Sequence, residues 1–171
     1  ADLDVYCQMK MRDTPYSHPF YTPLHEAAWC GRKETMEMLL KAGANPLLVN
    51  KDGKTALHML VQGGSSGNPD TKDMINILMT NDPSKKDALL KARTNKGIKP
   101  AEFADLTPLQ LAFVGGQFPQ ELMHFLVSST SAVEGMLSLS RVSMSATTAF
   151  ADQLDQRDRF EVLLGAQEPG V

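Results

Sequence analysis

The chain has 171 residues, and its 42% hydrophobic content is enough for one core-forming domain or one repeat array. Its 17 Lys and Arg against 20 Asp and Glu give a formal net charge of −3, so no overall basic field favours direct binding to nucleic acid or to an anionic membrane. No window approaches ~18 consecutive apolar residues and no basic segment precedes an apolar run at the N-terminus, so we expect neither membrane insertion nor a signal peptide.

Cys7 and Cys30 are the two cysteines of the chain. They are too few for a disulfide framework, and neither lies in a C-x-x-C pair or a Cys/His cluster with the spacing of a zinc site. We therefore expect no metal and no other cofactor. An intracellular, cytoplasmic setting fits this cysteine usage best.

Residues 1–16 precede the first clear pattern of the chain. This segment, which contains LDVYCQMKMRD, is expected to be an N-terminal cap or a linker. As a cap it would be helical, and the remnant of an earlier structural unit is the alternative.

A first helix is predicted from the stretch TPLHEAAWCG. Thr22 can cap it, with Pro23 at the first helical position, where the missing N–H is harmless. The small pair at 27–28 lets a second helix approach closely. Gly31 can end the helix in a left-handed conformation.

A second helix is predicted over about 34–41, because Met36, Leu39 and Leu40 fall on one face at helical spacing. The stretch NKDG at 50–53 that follows is a strong turn signal. We expect it to project as a loop, here called a finger, between two structural units.

The opening of the first helix recurs 33 residues later, where Thr55 begins the stretch TALHMLVQGG. A constant period of this length indicates a repeat array. The residues at 63–73 lengthen the connection to the next helix, which chain entropy tolerates at small cost. That helix is predicted over about 74–79.

Two stretches compete for the start of a third unit. NKGIKPAEFA aligns if Lys99 takes the threonine position, and TPLQLAFVGG, which lies further along the chain, aligns with Gln110 in place of histidine. Both stretches cannot begin separate complete units. We predict a finger and a short first segment over 95–105, then helices over 108–114 and 119–127.

The serine-rich region from 128 onward loses the pattern. Ser131 and Glu134 have capping-box spacing, and further apolar residues at helical spacing follow. A repeat stack needs a terminal element that shields its last apolar face. We expect capping helices over 128–171, with a disordered tail beyond Gly165.

Taken together, these features resemble the ankyrin repeat family, whose units begin T-P-L-H-x-A-A-x-x-G and continue to a Leu-Leu pair and G-A. The resemblance implies an all-α solenoid of about three helix-turn-helix units, at about 17–49, 50–93 and 94–127, with loop insertions and C-terminal capping helices. The matching residues of the first unit are Thr22, Pro23, Leu24, His25, Ala27, Ala28, Gly31, Leu39, Leu40, Gly43 and Ala44, and those of the second include Thr55, Leu57 and His58.

The family resemblance also implies a function, which is non-catalytic recognition of another protein. Ankyrin proteins bind partners on a concave face built from finger tips and the exposed ends of first helices. We therefore expect a protein partner and no small-molecule substrate. The corresponding positions are His18, Tyr21, Trp29, Cys30, Lys51, Asp52, Lys54, Gln62, Lys96 and Ile98.

Trp29 is the chain's only tryptophan, and it falls on a predicted partner-facing position. Exposed tryptophan is costly, and Trp, Tyr and Arg dominate binding hot spots. We expect it to anchor a partner. The alternative is that Trp29 packs on the N-terminal segment as part of a cap.

His25 and Cys30 lie close enough in sequence to suggest a nucleophile and base, but a scaffold role for the histidine is favoured. The histidine recurs at His58, and in the family it bridges backbone groups of neighbouring fingers. No Gly-rich phosphate loop, H-E-x-x-H or G-x-S-x-G motif accompanies the pair. We therefore predict no enzyme activity.

Three further hypotheses stay open. The first is that the chain is a targeting or regulatory ankyrin segment of a larger enzyme. The second is that it is similar to the ankyrin effectors that intracellular bacteria deliver into a host cytoplasm or nucleus. The third is that Tyr21, Trp29 and Glu26 form an aromatic cage for a methylated lysine or a basic peptide.

A local basic zone, with lysines or arginine at 85, 86, 91, 93, 96 and 99, is either a solvated loop or a dock for an acidic or phosphate-bearing partner.

Overall fold

The computed structural model describes residue 4 and residues 7–9, 18–63, 68–98 and 103–115. The helices predicted over 119–127 and 128–171 lie outside the described residues. In chain order the described elements are β1 (Cys7–Met9), β2 (His18–Tyr21), α1 (Pro23–Trp29), α2 (Lys33–Lys41), α3 (Ala56–Gln62), α4 (Thr71–Asn81), a 3-10 turn (Pro83–Lys85), α5 (Lys86–Lys91) and α6 (Pro108–Gly115).

Helix α1 begins and ends as the sequence predicts. The backbone N–H of His25 donates to the Thr22 side chain, and the His25 ring accepts the Thr22 N–H, which makes a capping box. Pro23 occupies the first helical position. After the helix, Gly31 has φ of 67°, so the chain reverses in the left-handed conformation that glycine adopts freely.

Helix α2 spans one residue more than predicted and buries Met36 and Leu40, while Leu39 packs partly buried at the edge of the core. Helix α4 is longer than predicted at both ends. Its start is fixed by the residue at 68, because the Thr71 hydroxyl and the Thr71 N–H both donate to the Asn68 carbonyl. This turn chemistry was not read from the sequence.

The described helices stack in two rows around one core. Helix α3 packs between α1 and α6, and α2 packs against α4, so equivalent helices of successive units lie side by side. The largest fully buried side chains are Leu24, Met36, Leu57, Met59, Leu60, Met74, Ile75, Leu78, Leu89 and Leu111. A shared apolar core across units is what makes short helices of six to eleven residues stable.

Helix α5 was not predicted. The sequence around it is rich in lysine and was read as a solvated loop, but Leu89 is fully buried and ties the helix to the core. The helix packs against α4 and α6. A single apolar anchor is too weak a periodic signal to show a helix in a charged stretch.

The N-terminal segment contains a strand where a helical cap was one expectation. Strand β1 pairs antiparallel with β2, with Cys7 opposite Tyr21 and Met9 opposite His18. Strand β2 leads straight into Thr22, whose backbone is extended because a helix N-cap is non-helical. The extended backbone before α1 gives β1 an edge to pair with.

The fingers before α3 and α6 are closed by the same hydrogen bonds. In the first, the Asn50 N–H donates to the Lys54 carbonyl at 2.9 Å, and the Lys54 N–H donates to Asn50 Oδ1 at 2.9 Å. In the second, the Thr94 N–H donates to the Leu106 carbonyl at 3.0 Å, and the Leu106 N–H donates to Thr94 Oγ1 at 2.9 Å. Residues 94 and 106 are therefore the structural equivalents of 50 and 54.

This equivalence decides between the two alignments of the third unit. The capping threonine is Thr107, because its N–H donates to Gln110 Oε1 at 2.9 Å and its Oγ1 accepts the Gln110 N–H at 3.3 Å. The helix predicted over 108–114 is therefore α6. The segment closed by Thr94 and Leu106 is here called the third finger, and the part of the predicted short first segment at 99–102 lies outside the described residues.

The β1–β2 ladder completes the series. Its pair at Cys7 and Tyr21 ends immediately before Thr22, as the closures of the other two fingers end immediately before Thr55 and Thr107. We therefore call 7–21 the first finger and 50–54 the second. The three fingers differ in length, while the helices they precede have a common start.

Candidate partner-binding surface

Two histidines each join two chain segments through both ring nitrogens. The Nε2–H of His25 donates to the Lys54 carbonyl at 3.0 Å, because a carbonyl oxygen can only accept. Its Nδ1 therefore lacks a proton, and it accepts the Thr22 N–H at 3.2 Å and the Thr22 hydroxyl at 2.8 Å. We call this arrangement a histidine clamp, because it ties a first helix to the finger of the next unit.

The same clamp recurs in the second unit. His58 Nε2–H donates to the Leu106 carbonyl at 3.1 Å, and Nδ1 accepts the Thr55 N–H at 3.2 Å and the Thr55 hydroxyl at 3.0 Å. Burial lowers the pKa of both rings, and it lowers the pKa of His58 to about 4. Both rings are therefore neutral near pH 7 and serve as structural links.

The environment of Cys30 argues against the nucleophile reading. The thiol is exposed, and it donates to Glu26 Oε1 at 3.4 Å. Burial of the sulfur, followed by the Glu26 carboxylate, raises the pKa of the Cys30 thiol, so the reactive thiolate is disfavoured. Both nitrogens of His25 are occupied by other partners, so this ring does not activate the thiol.

One backbone feature marks the end of every finger. The residue two positions before each capping threonine has positive φ: Phe20 at 72°, Gly53 at 74° and Asp105 at 56°. Glycine adopts this conformation freely, and aspartate tolerates it better than most residues. Phenylalanine does not, and left-handed backbone costs such a residue about 1–2 kcal/mol.

Phe20 therefore combines backbone strain with an aromatic side chain that is 44% exposed. It was missing from the residues predicted from the sequence. The signal was present, because Phe20 stands 33 residues before Gly53 and so takes the glycine position of the NKDG turn. An alignment of fingers, in addition to helices, would have singled it out.

Tyr21, which was predicted, lies beside Phe20 and is partly buried. Its ring stacks on the His25 ring with centroids 5.9 Å apart and an angle of 24° between planes. Burial raises the pKa of the Tyr21 phenol, and the carboxylates of Asp52 and Glu26 raise it further, against a hydrogen bond with the Asn50 side chain. Tyr21 thus faces the second finger and α1.

Trp29 is placed differently from the prediction. It is partly buried and packs against the core instead of standing free in solvent. A Cβ at Gly63 would lie 3.1 Å from Trp29 Cε3 and 2.6 Å from the Met59 carbonyl oxygen, so only glycine fits between them. Trp29 thus packs on Gly63, while Tyr21 stacks on His25.

The second finger contains one predicted residue that is wrong as an exposed contact. Lys54 is only 8% exposed, and burial lowers the pKa of its ammonium group. Its backbone is fixed on both sides, by Asn50 and by the His25 clamp, and its ammonium group lies 3.9 Å from Asp52. Lys51 is exposed and Asp52 partly exposed, as expected for a finger tip.

The second and third fingers are directly joined. The Asn95 N–H donates to the Asp52 carbonyl at 2.8 Å, and Asn95 Nδ2 donates to the Lys51 carbonyl at 2.8 Å. Gly53 lies so close that a Cβ there would be 2.6 Å from Asn95 Oδ1. These contacts bring Lys51 and Asp52 into one region with the predicted residues Lys96 and Ile98. In this region Lys96 is exposed and Ile98 is partly buried.

The other predicted residues lie at the ends of the first helices and in the first finger. Gln62 ends α3, is partly buried, and directly precedes Gly63, which packs on Trp29. Cys30 follows α1 and is exposed. His18 begins β2, opposite Met9 in the first finger.

The basic zone predicted between the second and third units is partly neutralised by its own neighbours. Lys85 pairs with Asp82 at 3.1 Å, and Lys91 with Asp87 at 3.7 Å. The Arg93 guanidinium donates to the Asp105 carbonyl at 2.8 Å. These local pairs favour the solvated reading of the zone over a dock for an acidic partner.

Residues 21–51 of the chain match the family model of the ankyrin repeat. The matched segment contains α1, α2 and the start of the second finger. Over the part of the chain that the structure describes, no three His, Cys, Asp or Glu side chains are grouped so as to hold a metal ion. A separate search of those same residues finds no helix long and apolar enough to cross a membrane.

Proposed function

We propose that this chain, which carries an ankyrin repeat at residues 21–51, binds another protein on a surface formed by its finger tips and the ends of its first helices. Ankyrin repeats are protein-interaction modules in general. The proposed surface keeps most of the predicted residues, omits the buried Lys54 and adds Phe20. Its members are His18, Phe20, Tyr21, Trp29, Cys30, Lys51, Asp52, Gln62, Lys96 and Ile98.

The observation that carries this proposal is Phe20. Gly53 and Asp105 adopt the same left-handed conformation at the equivalent positions, so the fold does not require an aromatic residue there. Phe20 therefore holds a 44% exposed ring on a backbone conformation that costs a phenylalanine free energy. Contact of that ring with a partner gives the strain a function, since exposed aromatics supply much of the energy at binding hot spots.

The surroundings of Phe20 suit a preorganised binding surface. Tyr21 is held by its stacking on His25, and the second finger is held by two hydrogen bonds from Asn95. Side chains that are already fixed lose little entropy when a partner arrives. The exposed Lys51 and the partly exposed Asp52 provide a mixed-charge rim beside the aromatic pair.

Two substitutions of Phe20 separate binding from folding. Phe20→Gly and Phe20→Ala both remove the ring, but only glycine relieves the left-handed backbone. Phe20→Gly should therefore be more stable than Phe20→Ala by about 1 kcal/mol in urea unfolding. Both variants should weaken binding by tenfold or more, as loss of a hot-spot aromatic does.

Binding is measured by first identifying a partner that co-purifies with the unaltered chain and then titrating that purified partner against each variant. Met38→Ala is the control, because Met38 is 64% exposed on α2, outside the proposed surface. Equal affinity of the Phe20 variants and the unaltered chain would remove Phe20 as the anchor. Reduced affinity of Met38→Ala alone would move the surface to α2.

A further inference from the structure

The histidine clamps have a property that partner binding at the fingers does not require, which is a titratable group at each junction. Each places a titratable ring at the junction of two units, with the first helix of one unit hydrogen-bonded to the backbone of the next finger. His25 and His58 are 1% and 0% exposed, so neither can escape into solvent without opening the junction. The junctions thus depend on the protonation state of the rings.

Protonation would remove the acceptor at Nδ1 on which the backbone N–H of each capping threonine depends, whereas the threonine hydroxyl can rotate and accept instead. The Nδ1 atom of His58 accepts the Thr55 N–H at 3.2 Å and the Thr55 hydroxyl at 3.0 Å. A proton on Nδ1 points at the Thr55 N–H hydrogen, and a backbone N–H cannot reverse its role. The capping box of α3 would then break, because its reciprocal bond is the Thr55 N–H to Nδ1 contact.

The groups around His58 also oppose a positive charge. Burial has the largest effect, and the ammonium group of Lys54 and the ring of His25 act in the same direction, while the hydrogen bond to the Leu106 carbonyl opposes them. Lys54 itself is buried, and Asp52, 3.9 Å away, is its ion-pair partner.

Among the described residues, neighbouring groups of the other units do not add a compensating negative charge close to either ring. His25 stacks on the Tyr21 phenol, whose raised pKa keeps it neutral. Next to Leu106, Asp105 is paired with Arg93 at 3.8 Å. The rings therefore lie among neutral, cationic or already paired groups.

We propose that the two histidine clamps are an acid-sensitive release built into the junctions between units, so that mild acidification detaches the first helices α1 and α3 from the fingers that follow them. The two clamps lie in unequal environments, and burial lowers the pKa of His58 to about 4. Burial lowers the pKa of His25 as well, so acid favours opening of both junctions.

The third unit contains a natural counterpart that cannot titrate. Gln110 takes the histidine position, and its Oε1 accepts the Thr107 N–H at 2.9 Å as Nδ1 does in the clamps. A glutamine therefore satisfies the threonine cap in this fold. His58→Gln is therefore the substitution that would keep the threonine cap and remove the pH dependence.

The sign and size of the effect follow from linkage. A ring whose pKa is about 4 when folded and about 6.5 when released binds protons more strongly in the open state, so acid favours opening. The opening equilibrium at His58 should rise about 20-fold between pH 7 and pH 5. The stabilisation is complete above about pH 6.5 and is lost as pH falls toward 4.

The test is amide hydrogen exchange of the full chain at pH 7 and pH 5, corrected for the intrinsic exchange rate. The amide of Thr55 should lose protection by about 20-fold at pH 5 in the unaltered chain. In His58→Gln the loss should shrink to threefold or less. Equal protection at both pH values in the unaltered chain, or an equal loss in His58→Gln, would overturn the proposal.

Two further measurements keep the proposal testable if His58→Gln does not fold. The His58 ring can be titrated by NMR in the unaltered chain, and a folded-state pKa near 6.5 would contradict the proposal. Gln110→His should create a third clamp and add acid sensitivity at the Thr107 amide. Unchanged protection of that amide between pH 7 and pH 5 in Gln110→His would also count against it.

Discussion

At several positions in this structure, the backbone conformation limits which residue is tolerated. The position two residues before each capping threonine requires positive φ, and glycine, aspartate and phenylalanine meet that requirement at increasing cost. Gly63 is constrained in another way, because its backbone is extended and the space beside it is filled by Trp29 and by the Met59 carbonyl. Residue identity at these places reports backbone and contact geometry that helical periodicity does not show.

Gly63→Ala should destabilise the fold, because the added Cβ would lie 2.6 Å from the Met59 carbonyl oxygen and 3.1 Å from Trp29 Cε3. Overpacking of this kind costs about 1–3 kcal/mol, which urea unfolding would measure. Gly97→Ala is the matched control, since no atom lies within 4 Å of a Cβ there. A Gly63→Ala variant as stable as Gly97→Ala would show that the Trp29 contact is loose.

The elements of the molecule divide into a constant set and a variable set. Helices α1, α3 and α6 each follow a threonine whose backbone N–H is satisfied by the third residue of the helix, histidine twice and glutamine once. The fingers before them close with similar hydrogen bonds but enclose different lengths of chain. Insertion is therefore confined to segments whose ends are fixed by backbone pairing, where added length costs little.

Asn95→Ala should loosen the second finger without unfolding the helices, because it removes the Asn95 Nδ2 bond to the Lys51 carbonyl. The exposed position limits the loss of global stability to about 1 kcal/mol. The sharper readout is hydrogen exchange, in which the amides of 51–53 should lose more protection than those of α3. Uniform loss across both segments would mean that finger and helix open together.

At the scale of the whole molecule, the described helices form a stack whose stability depends on contacts between neighbours. Helices of the same row bury one apolar core, and two buried neutral histidines connect first helices to the next finger. Lys33 of α2 adds a link to the second helix of the next unit, since its Nζ lies 2.7 Å from Asp73. Loss of one junction therefore exposes apolar surface on both sides.

Acid should lower the free energy of unfolding of the whole chain, and it should do so before the carboxylates titrate. A buried ring with a pKa of about 4, against about 6.5 unfolded, contributes about 3 kcal/mol that is present above pH 6.5 and lost as pH falls to 4. His25 contributes in the same direction. Urea unfolding at pH 7.0, 6.0 and 5.0 should show the decline, and a flat profile over this range would contradict it.

The sequence predicted the helical repeats because their start signals are local. Thr22, Pro23 and Gly31 act within one turn of chain, and the 33-residue recurrence at Thr55 needs no knowledge of the fold. The sequence did not predict the burial of Lys54, whose backbone contacts include His25, 29 residues earlier in the chain. The helix predicted over 108–114 is confirmed as α6, although the sequence alone left two alignments of the third unit open.

The candidate surface was also predicted only in part, because local turn chemistry can be predicted from the sequence and contacts between units cannot. Finger-tip positions such as Lys51 and Lys96 follow from turn chemistry and are exposed. Trp29 was expected to face solvent, but the glycine that packs on its ring comes from the next unit. Phe20 escaped because it stands where the repeat calls for glycine, and a residue that breaks a pattern is not found by matching the pattern.

The closure of each finger by its own backbone hydrogen bonds has a practical consequence. The segment between residues 50 and 54 and the much longer one between 94 and 106 both deliver the chain to the same threonine cap. The start of the helix beyond each cap does not depend on how many residues lie between the two ends of the finger. The second finger is therefore a natural place to graft a foreign peptide, displayed at the rim of the array on a base that already accepts loops of very different size.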